Sequence, residues 1–194
     1  PLDEFAVILE NVCNAHMADL GDLTPFYNME LTLGGIVTGF REGYTKTGKP
    51  YGVVKMEDYS GASEFAFFGN EWVEKKNFFS EGMFLYMHGK CQPKQWKQNE
   101  LEVKVNSIEL LPDVNDEVIE KLTVSAPLNE ISDVFIEEFS SLVKANPGNV
   151  SLHFYVKDEE GQHVTLTSRD LKISLHKDII AYLKAQTMLS YKIN

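Results

Sequence analysis

Long apolar runs and cysteines are what this 194-residue sequence most clearly lacks. No apolar run approaches the roughly 18 residues that cross a bilayer, and no secretory signal pattern opens the chain, so neither a membrane nor a secreted protein is indicated. The two cysteines make no disulfide framework, which is typical of a reducing, cytoplasmic compartment. The chain begins with Pro1 rather than Met, and we expect a piece of a longer protein.

Recognisable catalytic, cofactor and metal motifs are also scarce. The sequence shows no Gly-rich phosphate loop and no Ser-His-Asp arrangement. His88 and Cys91 lie three residues apart, but the period of a strand would point them to opposite faces. Cys13 and His16 are neighbours on a helix, although two ligands without a second pair make a weak zinc site. The sequence therefore predicts a chain without catalytic residues, cofactor or metal.

Positive charge is sparse and local. With 43% hydrophobic and 11% aromatic residues the chain can bury a core, but its net charge of −11 argues against a nucleic-acid partner. The distribution of charge argues the other way. Residues 1–30 carry six acids and no Lys or Arg, residues 31–111 carry ten residues of each sign, and residues 112–194 carry thirteen acids and eight bases. A balanced central segment with its bases concentrated around two loops can still follow a phosphate backbone.

Five β-runs with one helical stretch between the third and fourth occupy residues 31–111. This layout is typical of the OB-fold, a five-stranded barrel that binds single-stranded nucleic acid or oligosaccharide. Two aromatic clusters are expected to supply core residues: Trp72, Phe78 and Phe79 in the helical stretch, and some of Phe65, Phe67 and Phe68 in the third strand. The predicted fold class is mostly β plus α+β, with the OB-fold barrel followed by a small α+β domain.

Two segments flank the predicted barrel. Residues 1–30 contain a helical stretch from Leu2 to about His16, and we expect them to lead in from a preceding domain. Residues 112–194 predict a small α+β domain in the order β-α-β-β-β-α. Its expected elements are strands at 119–126, 151–157, 163–168 and 171–175, and helices at about 129–145 and 177–186, the last capped by Ser174.

The candidate binding residues lie on two loops and one strand. An OB barrel engages a strand across its second and third strands, between the loops that follow strands one and four. Aromatic side chains there stack on bases, and lysines neutralise phosphates. The candidates are Arg41, Tyr44, Lys46 and Lys49 around the first loop, Tyr51 and Lys55 on the outward face of the second strand, and Lys94, Trp96 and Lys97 in the last loop. For Trp96, base stacking and contact with a neighbouring domain are equally compatible with the pattern.

Four segments of the predicted barrel resemble motifs of the C-terminal region of the bacterial DNA polymerase III alpha subunit. The motifs are a G-x-V segment, a T-K-x-G-K loop, an acidic S/T-G turn and an E-x-x-x-F strand, which correspond here to 35–37, 45–49, 57–61 and 64–68. The opening Pro1-Leu2-Asp3 resembles the end of a G-H-P-L-D element that precedes the barrel in that family. The small α+β domain after the barrel is similar too, so the resemblance covers nearly the whole chain.

The resemblance implies a parent DNA-directed DNA polymerase whose catalytic aspartates lie upstream of this chain. The barrel would bind single-stranded template DNA, with Arg41, Lys46, Lys49 and Lys55 as matching basic positions. The last domain would dock the tau subunit of the clamp loader, while the sliding clamp would bind through upstream regions. Two alternatives stay open at this point: an anticodon-type RNA-binding module of a tRNA synthetase, and a purely protein-binding module.

Overall fold

A computed structural model describes residues 2–95, 97–114 and 117–194. The chain divides into two compact units after Val114. A five-stranded sheet organises the first unit and a four-stranded sheet the second. The predicted class, mainly β with a smaller α+β part, is confirmed.

The first unit has the predicted layout of five strands with a helix between the third and fourth. Its elements are β1 (Glu30–Tyr44), β2 (Pro50–Glu57), β3 (Ala62–Phe68), β4 (Phe84–Lys94) and β5 (Lys97–Leu110), with α1 (Ala6–Asn11), α2 (Asn70–Lys75) and α3 (Leu111–Val114). Neighbouring strands run antiparallel in the order β3-β2-β1-β4-β5. Within the described residues no backbone ladder joins β3 to β5. The expected barrel is therefore open along this seam.

The long strand β1 serves both halves of the sheet. It pairs with β4 through Glu30–Ile36 and with β2 through Ile36–Tyr44. A register shift between Val37 and Gly39 bends the strand where the pairing changes, as β-bulges do. This bend curls the sheet around one apolar core.

Side chains alternate across β2 and β3 as a period of two requires. On β2, Gly52, Val54 and Met56 are buried, and the set that contains Lys55 faces outward. On β3, Phe65 and Phe67 are core residues, whereas Phe68 is 46% exposed. From the helical stretch Trp72 and Phe79 are buried, and Phe78 packs half-buried against the same core. The structure thus decides which phenylalanine of β3 faces away from the core.

The segment before β1 packs into the first unit. It contains short 3-10 helices at Leu2–Phe5, Met17–Gly21 and Thr24–Phe26 beside α1. The predicted helix to His16 is wrong beyond Asn11, because Asn14 pairs with Thr32 of β1 instead. The Asn14 amide nitrogen donates to the Thr32 carbonyl at 3.2 Å, and the Asn14 side-chain oxygen accepts from the Thr32 amide at 2.8 Å. An asparagine side chain here competes with helical hydrogen bonding and anchors the segment to the sheet.

Asp58 fastens this segment to the turn between β2 and β3. Its side chain is only 4% exposed, and it accepts hydrogen bonds from the backbone amides of Met17 at 2.9 Å, Ser60 at 2.8 Å and Gly61 at 3.1 Å. Burial alone raises the pKa of Asp58, but the hydrogen bonds from Ser60, Met17 and Gly61 outweigh it and hold the pKa below the ordinary value.

Among its described residues, the second unit contains a mixed four-stranded sheet, two α-helices and a 3-10 helix at Leu128–Glu130. Its elements are β6 (Lys121–Pro127), α4 (Asp133–Ala145), β7 (Pro147–Lys157), β8 (His163–Ile173), α5 (Lys177–Ala185) and β9 (Ser190–Ile193). The strand order is β8-β7-β6-β9, with β6 and β7 parallel and the other pairs antiparallel. Aromatic contacts join the helices to each other and to the sheet, with ring centroids of Phe139 lying 5.8 Å from Phe154 and 6.1 Å from Tyr182.

The predicted order of elements in the second unit needs three corrections. Residues 171–173 continue β8 rather than forming a separate strand, because the chain bulges against β7 and then resumes pairing at Lys172. The residue at the N-cap of α5 is His176, not Ser174. The last strand, β9, was not predicted, since four residues are too few to show a period. The observed order is β-α-β-β-α-β.

Candidate nucleic-acid interface

A groove of about 1260 Å³ lies in the first unit along the open seam between β3 and β5. Its walls come from four parts of the chain: the β1–β2 loop at 45 and 47–50, β3 with the start of α2 at 63–71, the end of β4 at 92 and 94–95, and β5 at 101–105. Leu20 and Leu23 also line it. The two loops that the sequence singled out therefore border one groove.

The β1–β2 loop is closed by its own backbone. The Thr45 amide donates to the Lys49 carbonyl at 2.8 Å, and the Lys49 amide donates to the Thr45 hydroxyl at 3.0 Å. Gly48 has φ +76°, a left-handed conformation that side-chain-bearing residues rarely adopt. This turn exposes Lys46 and Lys49, and within the described residues neither forms an ion pair.

Two other predicted basic positions are paired with carboxylates on the outer face of the sheet. Arg41 donates from both terminal nitrogens to Glu64, at 3.0 Å each, and Lys55 contacts Glu57 at 2.7 Å. Hydrogen bonding and charge attraction raise the pKa of Arg41 and lower the pKa values of Glu64 and Glu57. These pairs leave little uncompensated positive charge on the outer face.

The basic side chains of the β4–β5 hairpin are also paired with a carboxylate. Both Lys94 and Lys97 contact Glu100, at 2.7 and 2.8 Å. Hydrogen bonds from Lys94 and then Lys97 lower the pKa of Glu100 to about 2. Trp96, the remaining candidate of this hairpin, lies outside the described residues. Two of the predicted phosphate-binding lysines therefore share one carboxylate, which offsets part of their positive charge.

Exposed aromatic side chains stand close to the β1–β2 loop. Tyr44 ends β1 and is 77% exposed, while Tyr51 lies half-buried with its ring 6.1 Å from the ring of Phe68. Phe68 lines the groove, and the sequence left open whether it was a core residue. Its place at the end of β3, one residue before Gly69, is the signal that could have marked it as exposed.

Helix α2 spans the seam and fixes its width. The Lys75 ammonium donates to the Val105 carbonyl of β5 at 2.9 Å, and Glu71 accepts from Lys104 of β5 at 2.6 Å. The helix is itself anchored by Trp72, whose ring lies over Gly52. The groove thus stays open because side chains of α2, and not backbone pairing, connect the two edges.

The cysteines and histidines do not form a reactive or metal-binding cluster. Cys13 and Cys91 are buried free thiols, and burial raises the pKa of Cys13 to about 12. Across residues 2–95, 97–114 and 117–194, no group of three or more His, Cys, Asp or Glu side chains could hold a metal ion. In the same residues no helix is both long and apolar enough to cross a membrane.

Two family models match the chain. Residues 31–111 match the model described as OB-fold nucleic acid binding domain, and residues 122–194 match DNA polymerase III alpha subunit, C-terminal domain. The DNA polymerase III subunit alpha of Bacillus subtilis (strain 168) is 20% identical over 131 residues, and that of Haemophilus influenzae is 21% identical over 145 residues. The predicted resemblance to the DNA polymerase III alpha subunit is confirmed.

The matches to these alpha subunits cover 68% and 74% of this chain but only 12% of either relative. A solved structure, the second OB-fold domain of replication protein A from Methanococcus maripaludis, is 17% identical with a TM-score of 0.29 and covers 43% of this chain and 85% of that one. The OB-fold of the first unit rests on its family model and its strand order.

Proposed function

We propose that this chain is a non-catalytic C-terminal part of a replicative DNA polymerase III alpha subunit, whose first unit binds single-stranded template DNA. The observation that carries this proposal is the groove between β3 and β5, which is lined by Lys49 and Phe68. Lys46 lies on the same loop as Lys49, and Tyr44 precedes that loop; both are exposed, and within the described residues neither lysine forms an ion pair. The catalytic residues of the parent polymerase would lie outside these 194 residues.

The groove would hold a strand by stacking more than by charge. Phe68 and Tyr44 offer exposed faces, and each stacked base contributes about 1–3 kcal/mol. Lys46 and Lys49 supply phosphate contacts, whereas Arg41, Lys55, Lys94 and Lys97 are held by carboxylates. With about two free phosphate contacts on a single strand, the log–log dependence of the binding constant on salt should have a slope of about −1.4.

Fluorescence anisotropy tests this proposal. A labelled single strand of about 20 nucleotides is titrated with the chain at two salt concentrations, beside a duplex and an RNA strand of equal length. We expect salt-sensitive binding that favours the DNA single strand, and loss of most of its salt dependence in Lys46→Glu/Lys49→Glu. The control Lys172→Glu/Lys192→Glu makes the same charge change on exposed strand positions of the second unit.

Four results would count against the proposal. Equal binding of duplex and single strand would indicate a non-specific charge effect, and so would equal losses in the two double variants. Tighter binding of RNA would favour an RNA-binding module of the tRNA synthetase type. Absence of DNA binding at tens of micromolar would remove the template-binding role.

The second unit is proposed to dock the tau subunit of the clamp loader. Support comes from its match to the C-terminal domain model of the alpha subunit. Pull-down of purified tau by the chain, and not by a chain ended after Val114, is the expected result. Retention of tau by the shortened chain would assign docking to the first unit instead.

A protein-binding role for the first unit is the second candidate. The observation that favours it is the pairing of Arg41, Lys55, Lys94 and Lys97 with three carboxylates, which offsets most of their positive charge. If Lys46→Glu/Lys49→Glu loses a protein partner while DNA binding stays unchanged, this candidate replaces template binding.

A further inference from the structure

The edge strand β8 of the second unit is long and poorly protected. It runs for eleven residues and pairs on one side only, with β7. The opposite edge of the sheet, β9, has four residues. Sheet edges are usually kept short or charged, because a free row of backbone N–H and C=O groups pairs readily with another strand. The stretch Val164–Ser168 is neither short nor charged.

Two apolar side chains of this stretch are exposed on the face that the helices cover. Val164 and Leu166 are 50% and 53% exposed, and they pair across the ladder with Val156 and Phe154. Phe154 contacts Phe139 of α4, so this is the core-facing side of the sheet. Helix α4 contacts β8 but leaves about half of each of these two side chains exposed. An apolar strip is left open along the edge strand.

Ile136 of α4 is a further exposed apolar side chain of the second unit. The Tyr182 hydroxyl of α5 donates to Glu138 at 3.1 Å, so position 138 faces α5. A residue two positions earlier lies about 200° around a helix, which places Ile136 on the side turned away from α5. Ile136 is 49% exposed, as expected for a side chain without a covering element.

Carboxylates surround the same end of the unit. Because β6 and β7 are parallel and α4 runs back between them, the start of α4 and the β7–β8 hairpin lie at one end of the sheet. Six exposed or half-buried acids stand there: Glu130, Asp133, Glu137, Asp158, Glu159 and Glu160. Within the described residues none of them takes part in an ion pair.

We infer that the β8 edge accepts an extended, lysine- or arginine-bearing segment of a partner protein as an added strand. The free edge supplies backbone hydrogen bonds, Val164 and Leu166 receive alternate apolar side chains, and the acidic end attracts the basic ones. This inference rests on the docking role proposed above for the second unit, to which it adds the surface and the chemistry of the partner. A second copy of the chain, which carries a charge of −11, is a poor occupant for an acidic edge.

The test uses two synthetic peptides of twelve residues, one alternating Lys and Val and the other alternating Glu and Val, with the full chain labelled for amide NMR. We expect the Lys–Val peptide to shift amides of Val164–Ser168, with binding that weakens as salt rises. The Glu–Val peptide should bind at least about ten-fold more weakly, from the loss or reversal of two or more exposed charge pairs. Leu166→Thr should weaken the Lys–Val peptide about five-fold, whereas Met188→Thr, at another exposed apolar site, should not.

Several outcomes would overturn the inference: equal binding of the two peptides, no binding of either, shifts confined to residues 45–105, or a β8-paired dimer of the chain. The tau subunit is tested separately with the same Leu166→Thr variant. If tau binds wild type and variant alike, the docking role stands and the β8 surface is wrong. If the Lys–Val peptide binds at β8 and tau does not bind, the surface stands and the choice of tau fails.

Discussion

The contact between Gly52 and Trp72 allows a sharp test of the first unit. A Cβ placed on Gly52 would lie 2.2, 2.3 and 2.4 Å from three carbons of the Trp72 ring. That ring is 3% exposed and stacks on Phe79 at an interplanar angle of 3°, and its Nε1 donates to Glu42 at 3.2 Å. The ring cannot move aside without giving up these contacts, so Gly52→Ala must displace it or shift β2.

The expected cost of Gly52→Ala follows from two limits. Overpacking a core costs about 1–3 kcal/mol, and losing a buried tryptophan costs about 3–5 kcal/mol. We therefore expect about 3 kcal/mol less free energy of unfolding, or a fall of roughly 1.5–2 M in the urea midpoint at an m-value typical of small domains. Both tryptophans lie in residues 1–114, so their fluorescence reports the unfolding of the first unit.

Gly39→Ala is the matched control. It is also a glycine of the β1–β2 ladder, but the nearest atom to its added Cβ is an oxygen of Glu81 at 3.8 Å, an ordinary contact. Its cost should stay within about 0.5 kcal/mol. In a double-mutant cycle, the combined variant Gly52→Ala/Trp72→Phe should lose at least about 1 kcal/mol less free energy of unfolding than the sum of the two single variants. Equal stability losses in the two glycine variants would refute the packing of Trp72 on Gly52.

Three further predictions concern binding and pH. Phe68→Ala should weaken single-strand binding in the anisotropy assay by about 1–3 kcal/mol with unchanged salt slope, since it removes a stacking face and no charge. Glu100→Gln should tighten binding and steepen the slope, because it frees Lys94 and Lys97; weaker binding would contradict the charge argument. The Asp58 carboxylate stabilises the fold at pH values above its ordinary pKa of 3.8, and this stabilisation is lost as the pH falls through its lower folded pKa. In Asp58→Asn, the urea midpoint should therefore depend less on pH below about pH 4 than it does in the wild type.

The layout of the first unit could be predicted because it is encoded locally. A period of two marked the strands, and glycine-bearing loops separated them, which was enough for five strands and one helix. The same period separated Gly52, Val54 and Met56 from the outward set on β2. It could not say which phenylalanine of β3 faces out, because Phe67 and Phe68 are adjacent and both apolar. Only packing against α2 decides that Phe67 is the buried one.

Features that depend on distant partners were missed or wrong. The helix predicted to reach His16 stops early because Asn14 binds a strand eighteen residues later. The closed barrel was expected from the strand count, but closure depends on whether β3 and β5 approach closely enough to pair. In the second unit, β9 is recognisable only because it pairs with β6, more than sixty residues earlier in the chain.

For the charged residues of the candidate site, too, pairs close in sequence could be predicted and pairs distant in sequence could not. The sequence identified the basic positions, but a basic position binds phosphate only if no carboxylate already holds it. Arg41 is engaged by Glu64, 23 residues away, which no local pattern indicates. Glu100 lies three residues after Lys97, so that pairing was visible as a spacing. To predict which basic residues of a hairpin can bind phosphate, the spacing between acidic and basic residues is therefore as informative as the number of basic residues.

An acidic chain with few unpaired basic side chains among its described residues can still bind a single strand if it only has to position that strand and does not have to capture it from solution. At a net charge of −11 the long-range electrostatic force on DNA is repulsive, so the proposed role requires a strand delivered by something else, such as a parent polymerase already bound to DNA. Once delivered, a tethered strand needs little intrinsic affinity, because its effective concentration is high. In the proposed role, stacking on Phe68 and Tyr44 would position the bases, and Lys46 and Lys49 would contact the backbone. The weak salt dependence expected of the groove fits its proposed place beside a catalytic domain, because four of the six predicted basic positions are already held by carboxylates.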